Sequence, residues 1–181
     1  VCDEKCFSNN FVNKLKNLKI RENGLWHYVI VSILGVVASF GFAPFFMWPL
    51  TLIAFGIMYY LMTRNHNHVS FFKSYLLSFP FGAFYGISMF WWVLNSIYVI
   101  PELAMQFAIW TLPGLFGIGL VSGVIFSLPF AIIRYVHRNP AQRVILFATL
   151  WTILLWLREW FFTGFPWNPI ANVAMPWPWL S

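Results

Sequence analysis

The most constraining feature of this sequence is a set of long apolar runs that contain no Asp, Glu, Lys or Arg. The runs cover residues 25–62, 74–98, 103–133 and 144–157. A helix that crosses a membrane needs about 20 consecutive, mostly apolar residues. The runs therefore predict several transmembrane helices, and the two longest runs are too long for a single crossing.

Prolines mark the points at which the two longest runs reverse or divide. Pro44 and Pro49 enclose an aromatic turn in the first run, and Pro113 precedes Gly114 in the third. Proline lacks the amide donor that a helix interior requires, and it disfavours helix in the residue before it. We therefore predict an all-α, polytopic helical membrane protein with about five transmembrane helices. The predicted spans are residues 25–42, 48–63, 74–98, 113–133 and 144–161.

The composition excludes a soluble domain. The chain is 60% hydrophobic and 9% charged, whereas soluble domains average about 45–50% apolar and about 25% charged residues. The net charge of +6 does not indicate nucleic-acid binding, because that function requires basic residues clustered on one exposed face. Here the basic residues lie between the apolar runs, so no nucleic-acid partner is expected.

The distribution of Lys and Arg predicts the orientation in the membrane. Of the 11 Lys and Arg, five lie in residues 1–24, two in residues 64–73 and three in residues 134–143. Cytoplasmic loops carry an excess of these residues. The N-terminal tail, residues 1–24, and both loops are therefore predicted to be cytoplasmic. Residues 162–181 are predicted to form an outward loop, which is periplasmic in a Gram-negative bacterium.

No metal site or cofactor is expected from the cysteines and histidines. Cys2 and Cys6 lie in the polar tail without a neighbouring histidine, and two ligands cannot complete a four-coordinate zinc site. His66 and His68 alternate with asparagines in a loop that offers no carboxylate or thiol. Cys2 and Cys6 are interpreted as inert thiols. His66 and His68 are interpreted as solvated loop residues.

Two glycine pairs predict close contacts between helices. Gly82 and Gly86 lie one turn apart in the run 74–98, and Gly119 and Gly123 have the same spacing in the run 103–133. Small residues at this spacing let the backbones of membrane helices approach each other closely. Each pair is therefore predicted to face a neighbouring helix.

Five side chains at the predicted outward end are candidates for contact with lipid or with another domain. They are Arg158, Trp167, Asn168, Asn95 and Tyr98. An arginine can hold a phosphate through two hydrogen bonds, and the alternative for Arg158 is an anchor whose side chain extends to water. Ion pathways usually place ionisable residues inside membrane spans, so the charge-free runs disfavour a permease.

Three stretches resemble one bacterial enzyme family. They are Ser39-Phe40-Gly41-Phe42-Ala43-Pro44-Phe45-Phe46-Met47-Trp48-Pro49-Leu50, Trp92-Val93-Leu94-Asn95-Ser96-Ile97-Tyr98, and Arg158 to Asn168 with its ending Phe-Thr-Gly-Phe-Pro-Trp-Asn. Their order and rough spacing are similar to those in bacterial apolipoprotein N-acyltransferases. The last stretch is the most specific, the first is moderately specific and the middle one is weak.

The resemblance implies a multi-pass enzyme of the bacterial inner membrane. Enzymes of this family move an acyl chain from a membrane phospholipid to the amino group of a diacylglyceryl apolipoprotein. The resemblance implies a Glu-Lys-Cys triad in a C-terminal nitrilase-like domain, where a thiolate forms a thioester that the substrate amine then opens. No residue of this chain is assigned to that triad, so the chain by itself is expected to be inactive.

The sequence departs from the family pattern near Arg158. The family often carries a glutamate three residues before the arginine, where this chain has Leu155, and a glycine where this chain has Glu159. The role of that glutamate is therefore not transferred. The alternative to the enzyme reading is a non-catalytic polytopic protein, either a permease fragment or a membrane scaffold.

Overall fold

The computed structural model describes residues 24–64, 70–136, 139–161 and Ile170, and all regular secondary structure in this part is helical. The helices in the described part are α1 Leu25–Ser39, α2 Trp48–Thr63, α3 Phe71–Asn95, α4 Pro101–Phe107, α5 Thr111–Tyr135 and α6 Pro140–Phe161. Two short 3₁₀ turns, Ser96–Val99 and Ala108–Trp110, flank α4. The predicted all-α class is confirmed.

Three helical stretches are long and apolar enough to cross a membrane. They are Phe71–Val99, Ala104–Tyr135 and Pro140–Arg158. The two other apolar helices, α1 and α2, have 15 and 16 residues. A helix of that length rises about 23 Å, which is less than the roughly 30 Å of a bilayer core. The polytopic membrane class is confirmed, and the number of about five crossings stays a prediction.

The long apolar run 103–133 divides at a different residue from the one predicted. The break is the 3₁₀ turn Ala108–Trp110, and α5 begins at Thr111, so Pro113 lies within its first turn. A proline is tolerated there because the first amide groups of a helix have no intrahelical acceptor. Pro113 therefore belongs to the helix start and does not separate two helices.

A short hairpin joins α1 to α2. The Met47 amide donates to the Phe40 carbonyl over 2.9 Å, which closes the aromatic turn, and the Ala43–Pro44 peptide bond within it is cis. Thr51 in the first turn of α2 is fully buried, and its Oγ1 donates to the Ala38 carbonyl over 2.8 Å. This bond satisfies an acceptor at the end of α1 and fixes the two helices side by side.

The most extensive helix packing in the described part lies between α3 and α5. A Cβ atom added at Gly82 would lie 2.9 Å from the Ser122 carbonyl oxygen, and one at Gly119 would lie 2.7 Å from Ile87 Cδ1. Ser78 Oγ donates across the same seam to the Ser127 carbonyl over 3.2 Å. Both predicted glycine pairs therefore face a neighbouring helix.

The core of the described helices is aromatic. Rings from α2, α3, α5 and α6 meet there, with centroid distances such as 4.8 Å between Phe55 and Trp151 and 5.1 Å between Tyr85 and Phe126. The cluster consists of Phe55, Phe81, Tyr85, Phe126, Phe130 and Trp151. Trp151 inserts α6 into this cluster, and it thereby determines which face of α6 points inward.

Polar side chains are buried near the end predicted to be cytoplasmic. His27 of α1 contacts the Leu77 carbonyl of α3 through Nε2 at 3.2 Å. Arg134, which the sequence places in a basic loop, instead lies in the last turn of α5, buried, with Nη1 3.5 Å from the Met62 carbonyl. That carbonyl is among the last of α2, where a positive charge offsets the partial negative charge of the helix end.

Candidate functional site

An apolar cavity of about 370 Å³ lies between α3, α5 and α6. It lies near the end of the bundle that is predicted to face outward, where α3 and α6 end and α5 begins. The lining consists of Phe90, Val93, Gly117, Ile118, Val121, Ser122, Ile125, Phe126 and Arg158. Its size falls at the lower end of the range for small-molecule sites, which is about 300–1,000 Å³.

Helical spacing explains why Arg158 points into this cavity. Arg158 follows Trp151 by seven residues, which is two helical turns, so the two side chains share one face of α6. Trp151 is buried in the aromatic core, with 5% of its surface exposed. Arg158 is consequently also turned inward, and only 8% of its surface is exposed. The structure therefore does not place it as an anchor that extends to water.

The guanidinium of Arg158 lies over an aromatic ring. Its Cζ is 5.9 Å from the centroid of Phe126, a distance at which the ring face attracts a cation. The rest of the lining is apolar except for Ser122. A guanidinium carries five N–H donors and no acceptor, so the group that lies at this wall is one that suits oxygen acceptors.

The arrangement is suited to an amphiphilic ligand. Aliphatic and aromatic side chains from α3 and α5 can cover a hydrocarbon chain, and a guanidinium can hold a phosphate or carbonyl oxygen by charge-assisted hydrogen bonds. This combination of an apolar wall and a few placed polar groups is typical of small-molecule sites.

Asn95 and Tyr98 are not part of the cavity lining. Asn95 is exposed at the last position of α3, and Tyr98 is half exposed in the 3₁₀ turn that follows. The Tyr98 hydroxyl lies 2.9 Å from Thr111 Oγ1 at the start of α5. Tyr98 therefore fixes the connection from α3 to α5. Trp167 and Asn168 lie outside the described residues, as do Cys2, Cys6, His66 and His68.

Sequence reasoning missed most of the cavity wall. Phe90, Ser122 and Phe126 carry no motif, and Ser122 lies between the two glycines that were noticed only for their small size. A search for polar residues inside a glycine-spaced helix face would have found Ser122. No sequence signal distinguishes Phe126 from the other 20 phenylalanines of the chain.

A second hollow lies beneath the turn between α1 and α2. It measures about 310 Å³ and is lined by residues of the turn together with Ile87, Ser88 and Trp91 of α3. Residues 39–50, the first of the three stretches that carry the family resemblance, thus pack beside α3. The aromatic turn and the outer half of α3 form one structural unit.

Comparison with known proteins gives one consistent result. Residues 34–181 match the family model described as the apolipoprotein N-acyltransferase N-terminal domain. The apolipoprotein N-acyltransferase of Haemophilus influenzae is 28% identical over 145 residues, which cover 80% of this chain and 26% of that protein. The apolipoprotein N-acyltransferase of Rickettsia prowazekii is 31% identical over 146 residues, which cover 79% and 27%.

A third relative, the apolipoprotein N-acyltransferase of Sinorhizobium fredii, is 28% identical over 151 residues, which cover 80% of this chain and 28% of that protein. The chain thus spans about a quarter of the length of these curated relatives. The family model covers well over half of the chain, including α2 to α6 and the cavity between α3, α5 and α6. The chain therefore belongs to the apolipoprotein N-acyltransferase N-terminal domain family.

Proposed function

We propose that this chain is the membrane-embedded N-terminal part of an enzyme that transfers a fatty acyl chain from a phospholipid to the N-terminal diacylglyceryl cysteine of apolipoproteins. The enzyme acts in the bacterial inner membrane. The match of residues 34–181 to the N-terminal domain of the family supports this proposal. The bond-making residues belong to a nitrilase-like domain outside these 181 residues, and the chain without that domain is inactive.

Within this enzyme the helices form a scaffold and part of the lipid-side wall of the active site. The observation that carries this role is the apolar cavity with Arg158 beside Phe126. The cavity holds hydrocarbon from the phospholipid, and the guanidinium holds an oxygen of the same molecule. Trp167 and Asn168 follow α6 and contact lipid or the catalytic domain, and Asn95 and Tyr98 do so from the connection after α3.

Acyl transfer by the full-length gene product tests this role. We expect Arg158→Gln to lower the rate by about 10-fold to 150-fold, because hydrogen bonds to charged groups contribute about 1.5–3 kcal/mol. Arg158→Lys keeps the charge and loses the paired donors. Its rate of acyl transfer should therefore lie between that of Arg158→Gln and that of the wild type. Lys73→Gln, at the other end of α3, is the control. Full activity of Arg158→Gln would contradict the proposed contact.

Two simpler experiments test the assignment to an enzyme. The gene beyond residue 181 should encode a soluble domain of roughly 250 residues with separated Glu, Lys and Cys. Residues 1–181 alone should not acylate a diacylglyceryl peptide. A stop codon soon after Ser181 would favour the non-catalytic membrane protein, and activity of residues 1–181 would show that the chemistry has been placed in the wrong part of the protein.

A further inference from the structure

The second hollow, between α3 and the turn that joins α1 to α2, differs from the apolar cavity in its chemistry. It measures about 310 Å³, and its lining consists of Val36, Ser39, Phe40, Ala43, Pro44, Phe45, Ile87, Ser88 and Trp91. None of these described lining residues is charged, whereas Arg158 lines the apolar cavity. A buried charge without a partner is costly, so this wall suits an uncharged ligand group.

The polar groups that α3 brings to the second hollow are hydrogen-bond donors. Ser88 carries a hydroxyl and Trp91 an indole N–H, and both residues line the hollow. The third polar residue, Ser39, already donates its hydroxyl hydrogen to the Val36 carbonyl over 2.7 Å. An indole N–H is a donor only, and a hydroxyl can donate one bond. The hollow therefore suits a ligand whose polar atoms are acceptors, such as the carbonyl oxygens of an ester.

The rest of the wall is apolar and lies at the outer membrane boundary. The rings of Phe40 and Phe45 meet edge to face at 5.2 Å, and the Met47 amide closes the turn on the Phe40 carbonyl over 2.9 Å. Trp91 is 52% exposed, and tryptophan side chains gather at the level of lipid headgroups. The hollow thus lies at the depth where the esters of a lipid meet its hydrocarbon chains.

The second hollow and the apolar cavity lie on different faces of one helix. Phe90 and Val93 of α3 line the apolar cavity. Ile87, Ser88 and Trp91 of α3 line the second hollow. At about 100° per residue the two sets point about 140° apart, and together they span only about 9 Å of the helix axis. One helix therefore separates two lipid-sized spaces at the same depth.

We propose that the second hollow binds the diacylglyceryl group of the acyl acceptor, while the apolar cavity holds the phospholipid donor. This inference rests on the proposed function, which supplies two different lipid substrates. The diacylglyceryl group of an apolipoprotein carries two ester carbonyls and no charge, and a phospholipid carries a phosphate. This difference matches the two walls, because one offers uncharged donors and the other offers the guanidinium of Arg158.

Separate sites for the two lipids have a consequence for the reaction. The donor and the acceptor approach the catalytic domain from different sides of α3, so the acceptor can bind while the apolar cavity is occupied. A substitution that fills one space should therefore weaken the binding of one lipid and leave the binding of the other nearly unchanged.

Native mass spectrometry of the detergent-purified full-length gene product tests the site without relying on catalysis. The acceptor probe is a dipalmitoylglyceryl-cysteine peptide whose amine is acetylated, so that it cannot react. The donor probe is dioleoylphosphatidylglycerol. Ser88→Leu adds a branched apolar side chain to the second hollow, and it should lower the affinity for the acceptor probe about 10-fold or more. The affinity for the donor probe should change less than about twofold.

Two further variants test the assignment of one lipid to each space. Gly117→Leu fills the apolar cavity and should give the opposite pattern, with weaker binding of the donor probe. Trp91→Phe keeps an aromatic ring and removes the indole donor, so it should lower the affinity for the acceptor probe about 2-fold to 10-fold, the usual effect of one uncharged hydrogen bond. Because Trp91 is half exposed, this variant also tests the site if Ser88→Leu does not fold.

Ser32→Leu is the matched control, because it makes the same change at a half-buried serine of α1 that lines neither space. It should alter neither affinity by more than about twofold. Thermal unfolding verifies that each variant is folded.

Unchanged binding of the acceptor probe in the folded variants at positions 88 and 91 would overturn the proposal. Weaker binding of the donor probe alone in Ser88→Leu would also overturn it, because the hollow would then hold a phospholipid chain. Acyl transfer by the wild type tests the proposed function separately. Transfer with no effect of Ser88→Leu on the acceptor would remove only the acceptor site, and selective binding of the acceptor probe without transfer would remove only the enzymatic activity.

Discussion

Gly86 of α3 lies directly against the side chain of Ser122 of α5, so that a Cβ atom at position 86 would coincide with the serine side chain. Ser122 also lines the apolar cavity. The same contact that brings the two helices together therefore sets one wall of the candidate site. A change at Gly86 is expected to affect both the stability of the bundle and the shape of the cavity.

Gly86→Ala should destabilise the protein by about 1–3 kcal/mol, the usual cost of overpacking a filled core. Ser122→Gly removes the obstructing side chain, so the double variant should recover part of the loss. Thermal unfolding of the full-length protein in detergent measures both effects. Gly56→Ala is the matched control, because no atom lies within 4 Å of a Cβ at Gly56. Equal destabilisation at positions 56 and 86 would show that the close contact is not the cause.

Gly117→Leu should fill the cavity without disturbing the helix packing. A Cβ at Gly117 meets no atom within 4 Å, and the residue lines the cavity. One extra or missing methylene in a hydrophobic pocket changes the efficiency with which a substrate reacts by about 10-fold to 200-fold. The rate of acyl transfer should therefore fall at least about 10-fold. The thermal unfolding midpoint should stay within a few degrees of wild type.

The control for this substitution is Gly56→Leu, which adds the same side chain to an exposed position of α2. It should leave both acyl transfer and thermal unfolding nearly unchanged. Full acyl transfer by the Gly117→Leu enzyme would show that the cavity takes no part in the reaction.

Thr51→Val should loosen the hairpin between α1 and α2. The substitution removes the buried bond from Thr51 Oγ1 to the Ala38 carbonyl and keeps the shape of the side chain. Hydrogen bonds between membrane helices contribute about 0.6 kcal/mol on average and about 1.7 kcal/mol at most. Thr149→Val removes an exposed bond within one helix, to the Ile145 carbonyl. Thermal unfolding should show a larger loss at position 51, and an equal loss would exclude a special role for the contact between helices.

Asn95 and Asn139 should be accessible from opposite sides of the membrane. Both are exposed, Asn95 at the end of α3 and Asn139 just before α6. In a background in which Cys2 and Cys6 are replaced by Ser, a membrane-impermeant maleimide should label Asn95→Cys in intact cells. Asn139→Cys should react only after the inner membrane is opened. The reverse pattern would invert the predicted orientation.

Much of the architecture could be predicted because its signals are local in sequence. The charge-free runs and the prolines predicted the helices, and the predicted bounds 48–63 coincide with α2. The boundary near Pro113 was predicted less well, because a proline interrupts a helix or begins one according to the turn in which it lies. The two glycine pairs were recognised as contact positions, whereas their mutual packing was not predictable from spacing alone.

The candidate site could be predicted only in part. Arg158 was identified from the sequence, but its burial was not, because burial depends on the rotation of α6 about its axis. Trp151 determines that rotation by packing among Phe55, Phe126 and Phe130. Tyr98 was also identified from the sequence as a polar residue at the outer end. Its hydroxyl contacts Thr111 Oγ1, so it lies outside the cavity that Arg158 lines.

The sequence by itself determined the membrane class, the helical content, the expected orientation and the family resemblance, because composition, periodicity and motif order are properties of the chain. The tertiary structure decided which faces meet. It placed Ser122 against Gly86, put Arg158 over Phe126, and brought Arg134 to the end of α2. Nearly every face of these helices is apolar, so hydrophobic pattern cannot distinguish a lipid-facing side from a packed one. Steric fit between small and aromatic side chains makes that distinction, and it exists only after the helices have assembled.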